Sequence, residues 1–364
     1  MTADAPDLPA SPIDTLLVID DDVVARMGSM VRHLCVGMID EAVQVRVMNW
    51  ASSPQVFESA GPARVMTLPR RKWLRSDPSP AEVLQLLGGQ RPIIVHCMSA
   101  ALAQRVHPWC AEWQCPLVVH VTDLTDVEEI GACETTAALT VAAISPNLQR
   151  ALLQRWPRMH CQIRVVPPGL PAQSAPTGLA EPDRVPTAIV TVPLTRDCGL
   201  DIVLRALRSI IKDKGEIQLF IMSLGRAERY FRQQVDELGL RPFVTFAGEL
   251  NNWPALRKVM GSADFLVHPS STARFTAGNL TALASGLCIL APADTTEDYL
   301  IDQETAALFD PNRPKQLLER WTAMLDDPAA ARQLAAAALE YARTRHQASM
   351  MVARTAALYR ELRA

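Results

Sequence analysis

The stretch HPSSTARFTAGNLTALASG, His268 to Gly286, follows an apolar run and opens what reads as a helix. A helix start behind a strand offers free backbone N–H groups and the positive end of the helix dipole, a setting that takes an anion such as a phosphate. Thr276, Ala277 and Gly278 open this helix. The stretch holds no acid, and its one cation is Arg274. His268 is expected to position the loop by hydrogen bonding rather than to transfer protons.

A second run with chemistry in it is Asp20, Asp21 and Asp22, at the end of TLLVID. Three adjacent carboxylates there suit Mg²⁺, or the acidic start of a response-regulator receiver. A receiver also needs an acceptor Asp and a Lys at the ends of later strands. Between residues 43 and 130 the only Lys is Lys72. A solvated strand-end loop is therefore the expected reading. LPRRKWLR (68–75) is the one basic cluster read in the chain, with Arg70, Arg71, Lys72, Trp73 and Arg75. It suits peripheral contact with lipid headgroups, an acidic acceptor or a protein partner. His96, at the end of PIIVHC, is expected to be a satisfied structural residue. Trp109, Trp113, Trp156, Trp253 and Trp321 are expected to pack rather than to serve as sugar platforms.

These groups are positioned by an alternation of strand and helix. TLLVID (15–20) is an apolar run bounded by acids, as a buried parallel strand is. A helix from about Val23 to Met38 precedes strands at VQVRVMNW (43–50) and ARVMTLP (63–69). SPAEVLQLLGG (79–89) has a serine N-cap, periodic apolar residues and terminating glycines. PIIVHC (92–97), a helix near 99–113, PLVVHVTD (116–123), a short strand AAIS (142–145), the helix PNLQRALLQRWP and the strand CQIRVVPPG (161–169) continue the pattern. PAQSAPTGLAEPDRVP (171–186) breaks it and reads as a linker. The alternation restarts at TAIVTVP (187–193) and runs through LCILAP (287–292) to a helical tail from Pro314. Such alternation implies parallel sheets with helices on both faces. The expected organisation is a disordered arm (1–12), an α/β domain (13–170), the linker, a second α/β domain (187–335) and C-terminal helices (336–364). Ligands of open parallel sheets bind beyond the carboxyl ends of the strands. The default site is therefore a cleft between the domains.

Composition narrows the function. Of 364 residues, 49% are hydrophobic and 21% charged, as in packed soluble proteins. A net charge of -3 gives no general pull toward nucleic acid. Eight scattered cysteines show no paired zinc spacing and read as reduced thiols of a cytoplasmic protein. No apolar run reaches the ~18 residues of a membrane span, and MTADAPDLPA has none of the features of a signal peptide.

Four segments carry a resemblance. AISPNLQRALLQRWPRMHCQIRVVPPGL, TVPLTRDCGLDIVLRAL, VTFAGELNNWPALRKVMGSADFLVHPSSTARFTAGNLTALASGLCILA and TTEDYLIDQETAALFDP are similar, in order and spacing, to segments of the GT-B glycosyltransferases, in the family-4 group that uses nucleotide sugars. The resemblance covers nearly the whole chain. It implies an α/β GT-B fold with two Rossmann-like domains facing a cleft and C-terminal helices crossing back to the first. It also implies sugar transfer from a nucleotide donor without a catalytic metal or other cofactor.

The family's functional positions are largely replaced. Its Glu-x7-Glu motif falls on Ala273 and Thr281; the first carboxylate would face the transferred sugar and the second would hold the donor ribose. The arginine and lysine that neutralise the diphosphate fall on Pro193 and Cys198. Proline offers no donor and a neutral thiol no positive charge. One lost charged contact of this kind costs ~3 kcal/mol, roughly a hundredfold or more in rate. The first-domain histidine position is Thr122, followed by Asp123, with His120 two residues earlier on the same strand face. The glycine-rich loop after the first strand reads DDDVVARMG, whose acids would repel a diphosphate. The resemblance keeps Glu297 at a donor-site position, and Arg196 and Arg274 near the lost cations. The expected donor-binding set is Arg196, Arg274, Thr276, Gly278, Thr281 and Glu297, with His120 and Asp123 as catalytic residues on the acceptor side. Two outcomes are expected: a weak or non-catalytic relative that acts as a binding module or partner of an active glycosyltransferase, or an active enzyme with an atypical donor site. The ligand in either case is a nucleotide sugar or nucleoside diphosphate.

Overall fold

The structure is a computed structural model and describes residues 12–50, 61, 63–68, 77–133, 138–158, 163–172, 184–248, 253–269 and 275–363. The basic cluster at 70–75, Arg274, Ala273, nearly all of the expected arm and residues 173–183 of the expected linker lie outside them. The chain divides into two compact units, Met1–Pro167 with Ala348–Ala364, and Pro168–Gln347.

The first unit contains β1 (Ile13–Asp20), α1 (Asp21–Gly37), β2 (Val43–Trp50), β3 (Arg64–Thr67), α2 (Pro80–Leu86), β4 (Ile94–Cys97), α3 (Ala100–Trp113), β5 (Leu117–Val121), α4 (Leu124–Glu129), β6 (Leu139–Ala143), α5 (Pro146–Arg155) and β7 (Ile163–Val165). Its strands form one parallel sheet in the order β3-β2-β1-β4-β5-β6-β7. The central strands are buried on both faces, which is why they read as continuous apolar runs. Ser79 and Glu82 form a reciprocal capping box that starts α2.

The second unit contains β8 (Thr187–Val190), α6 (Leu200–Lys214), β9 (Gln218–Ile221), α7 (Glu228–Glu237), β10 (Val244–Phe246), α8 (Trp253–Ser262), β11 (Phe265–Val267), α9 (Ala277–Ser285), β12 (Cys288–Pro292), β13 (Ala307–Phe309), α10 (Pro314–Asp326) and α11 (Pro328–Arg345). Its parallel sheet runs β10-β9-β8-β11-β12-β13. On α6 the buried residues Leu200, Val203, Leu204, Leu207 and Ile210 recur at helical spacing and join a core that includes Phe231, Phe265 and Trp321. The last helix, α12 (Ala348–Arg363), packs in the first unit against α1, β1 and β4.

Three local expectations change. The strand expected at AAIS begins earlier, at Leu139, and stops at Ala143, because Ser145 spends its hydroxyl on Leu148 N as the N-cap of α5. The acidic triplet is no solvated loop: Asp20 caps Val23 N at 2.9 Å and the helix starts at Asp21. Helix α4 was hidden in LTDVEE, whose three acids mask any apolar period; Asp123 caps it.

Candidate functional site

In the second sheet the strand order reverses between β8 and β11, the place where open α/β sheets bind ligands beyond their carboxyl ends. The chain leaving β8 and the start of α9 meet there at close range. A Cβ on Gly278 would lie 2.7 Å from Thr191 Oγ1, so a larger residue would force the Thr191 side chain to shift. Gly199, at φ 79°, sits where a Cβ would lie 2.8 Å from the carbonyl oxygen of Pro269. His268 is buried beside this junction.

Thr276 is the extended N-cap of α9, but its side chain makes no capping bond. The positive end of α9 is thus not neutralised by its own cap. Thr281, only 1% exposed, donates its hydroxyl proton to Ala277 O at 2.5 Å. What it retains for a ligand is acceptor capacity alone. Glu297 is buried against the same helix. Its Oε2 accepts from Asn279 Nδ2 and from the Tyr299 hydroxyl, each at 2.7 Å. Burial pushes the Glu297 carboxyl up to about 7, although both hydrogen bonds pull the other way. Burial and the adjacent Glu297 hold the Tyr299 phenol well above its usual value. Thr276, Gly278, Thr281 and Glu297 are therefore brought together around α9.

The other positions differ. Pro193 is exposed. Cys198 is 6% exposed and packs in the apolar core with Val192, Leu194 and Leu200, and burial raises its thiol pKa. Arg196 is exposed, its guanidinium 4.7 Å over the Tyr230 ring.

In the first unit, Asp22 pairs with Arg26 at 2.9 Å, and the buried Arg26 reaches Thr122 Oγ1 at 3.4 Å and Asp123 at 3.7 Å. Asp126, fully buried, accepts from Ala100 N, Thr122 N and the Thr122 hydroxyl at 3.0, 2.9 and 2.8 Å. Burial and then Asp123 raise the Asp126 carboxyl pKa. Thr122 and Asp123 thus belong to a buried network joining α1, β5, α3 and α4. His120 lies apart from it, 2% exposed and stacked on His96 with centroids 5.6 Å apart. Neither His120 ring nitrogen has a hydrogen-bond partner among the described residues. Burial lowers the His120 pKa to about 4, and burial together with His120 lowers that of His96. His96 bonds the Tyr359 hydroxyl, a structural role.

Sequence reasoning passed over Arg26, Asp126, Asn279 and Tyr299, whose roles depend on partners distant in the chain. It also named LPRRKWLR as the one basic cluster. GRAERYFR (225–232) is a second, with three arginines and one acid. Among the described residues no group of three or more His, Cys, Asp or Glu could hold a metal ion, and no helix is long and apolar enough to cross a membrane.

Two parallel α/β sheets flanked by helices, with strand orders that reverse about β1/β4 and β8/β11, make this the fold of the GT-B glycosyltransferases. Residues 176–344 match the family described as Glycosyl transferases group 1. Alr3699/HepE of Anabaena, solved with UDP-glucose, is 17% identical over 96% of this chain and 100% of its own, with a TM-score of 0.77. A sucrose-phosphate synthase of Thermosynechococcus elongatus is 20% identical over 96% and 99%, at 0.78. The lipopolysaccharide outer core galactosyltransferase WaaB is 14% identical over 95% and 99%, at 0.68. At such identities the likeness is one of fold. No curated protein matches the chain by sequence.

Proposed function

We propose that this protein binds a nucleotide sugar or nucleoside diphosphate at the carboxyl end of its second sheet and transfers the sugar weakly or not at all. It would work as a binding module, or as a partner of an active glycosyltransferase. The observation that carries this reading is Cys198. At the position where the resemblance puts the diphosphate lysine, a neutral thiol is packed in the core. A diphosphate leaving group builds negative charge as the glycosidic bond breaks, and stabilising that charge is the main electrostatic task of such a site. The uncapped start of α9, Gly278, Thr281 and Glu297 support retained binding, with Arg274 beside them in sequence. Alr3699/HepE has been solved with UDP and with UDP-glucose, which favours this class of ligand. The seven described cysteines are free and buried, in keeping with work in the reducing cytoplasm. Arg70, Arg71, Lys72, Trp73 and Arg75 would supply any membrane contact.

A second reading, an active enzyme with an atypical donor site, is favoured by Glu297. A carboxyl titrating near 7 can exchange a proton at neutral pH. It would leave acceptor-side roles to His120 and Asp123.

The test is a thermal-shift panel of UDP, GDP, ADP and UDP-glucose, run beside an assay for released nucleoside diphosphate. A ligand at about 100 times its Kd adds ~2.7 kcal/mol. The expected result is a raised melting temperature with one nucleotide and no release above background. Turnover at ~1 s⁻¹ or faster, the ordinary enzyme range, would put the second reading first. No shift at millimolar nucleotide would sink both.

A further inference from the structure

We propose that Arg196, Arg226 and Arg229 form a second anion site, suited to the phosphate or diphosphate group of a small phosphorylated molecule. Arg196 then serves this site rather than the donor site. The three line an open pocket of about 650 Å³ together with Thr195, Tyr230 and Gln233. That volume is within the ~300–1,000 Å³ of small-molecule sites. None of Thr276, Gly278, Thr281 or Glu297 lines it, so the inference stands whether or not α9 binds a nucleotide.

The chain brings the arginines together by backbone bonds. Leu194 N donates to Leu224 O at 3.1 Å and Ala227 N to Leu194 O at 3.0 Å, which ties the loop after β8 to the entry of α7. Arg226, Arg229 and Gln233 follow a spacing of three and then four residues, one face of a helical path. The Tyr230 ring, 4.7 Å from the Arg196 guanidinium, holds that charge without a carboxylate.

Among the described residues the three charges have no carboxylate partner. Nearby arginines on α6 and α7 are paired, Arg205 with Asp201 and Arg232 with Glu228. Among the described residues, Arg196, Arg226 and Arg229 form no ion pair. The nearby acids are otherwise engaged: Glu228 by Arg232 at 2.7 Å, and Asp197, whose pKa is lowered, by the Thr195 hydroxyl. Ala227 gives α7 no side-chain cap, so the helix start adds to the positive field. In a chain of net charge -3, three cations with no ion pair among the described residues repel each other around one pocket until an anion offsets them. Planar guanidinium groups match phosphate oxygens with paired hydrogen bonds.

The test is calorimetric titration of inorganic pyrophosphate into the full-length protein at low salt. The expected result is one site per chain, weakened at least about tenfold in Arg226→Gln/Arg229→Gln, as loss of charged hydrogen bonds implies. Arg208→Gln/Lys212→Gln, an equal loss of exposed charge on α6, should stay within about twofold, since surface charge alone acts weakly. A UDP thermal shift kept in the arginine double variant separates this site from the donor site. The proposal is overturned if pyrophosphate gives no heat at millimolar concentration, if both double variants weaken it equally, or if the arginine variant binds as wild type.

Discussion

The Tyr359 hydroxyl lies 2.6 Å from His96 Nδ1, and both residues are buried in the first unit. The contact joins residues 263 apart in the chain and ties α12 to β4. His96 Nε2 already has no hydrogen-bond partner among the described residues. Tyr359→Phe is therefore expected to leave a buried imidazole with no hydrogen bond at all, at a cost of about 1–3 kcal/mol. Guanidinium unfolding followed in the first unit measures it. A change below about 0.3 kcal/mol would mean that the bond contributes nothing to holding α12.

The stacked histidines set an acid limit on the first unit. His120 titrates at about 4 in the fold against an ordinary 6.5, because burial disfavours its charge. Below pH 6.5 the unfolded chain takes up a proton that the folded chain refuses. Stability therefore falls as pH drops from 6.5 toward about 4, by up to ~3 kcal/mol for this one group. His120→Phe should flatten that slope. A variant whose stability declines with acid as steeply as wild type would show that other groups govern the limit.

Glu297 acts in the opposite sense in the second unit. Its folded pKa is raised from 4.5 to about 7. Between those values the folded chain holds a proton that the unfolded chain has lost. Stability thus decreases as pH rises from 4.5 through about 7, by up to ~3 kcal/mol. Glu297→Gln keeps an oxygen for Asn279 and Tyr299 and removes the ionisation. Melting of the second unit at pH 8 should be higher in the variant and nearly pH-independent over this range. Equal melting temperatures at pH 5 and pH 8 in the wild type would refute the raised pKa.

Placing at position 198 the lysine that the resemblance expects there should fail. Cys198→Lys places an ammonium among Val192, Leu194 and Leu200. Burying an unpaired charge there should destabilise the second unit by more than ~2 kcal/mol, whereas Cys198→Ser should cost less. The measurement is unfolding of both variants beside their UDP affinity. A stable Cys198→Lys protein with tighter UDP binding would mean that the position can turn outward, and Cys198 would no longer argue against catalysis.

Much of the architecture follows from local pattern. Continuous apolar runs at 15–20, 116–121 and 287–292 give parallel strands, because strands covered on both faces have no polar side. The spacing of Leu200, Val203, Leu204 and Leu207 gives α6, and Ser79 with Glu82 gives the start of α2. Where polar residues carried the signal, local pattern misled: the Asp20–Asp22 triplet reads as a loop until Asp20 is seen capping α1.

The placement of the expected donor-side residues was legible, since Thr276, Gly278, Thr281 and Glu297 stand around one strand–helix junction. Their chemical state was not. Glu297 titrates near neutrality because the fold buries it, against the pull of its hydrogen bonds from Asn279, 18 residues away, and Tyr299. Thr122 and Asp123 are engaged locally by Asp126 and the start of α4, but their contact with a cation exists only because α1 delivers Arg26, 96 residues from Thr122. Arg196 meets Arg226 and Arg229 only because the loop after β8 is bonded to the entry of α7. Periodicity and caps act within a few residues, so the sequence by itself determined the elements and their order. Desolvation and charge pairing act through space, so tertiary structure alone decided which of these groups are charged, which are sealed and which remain open to a ligand.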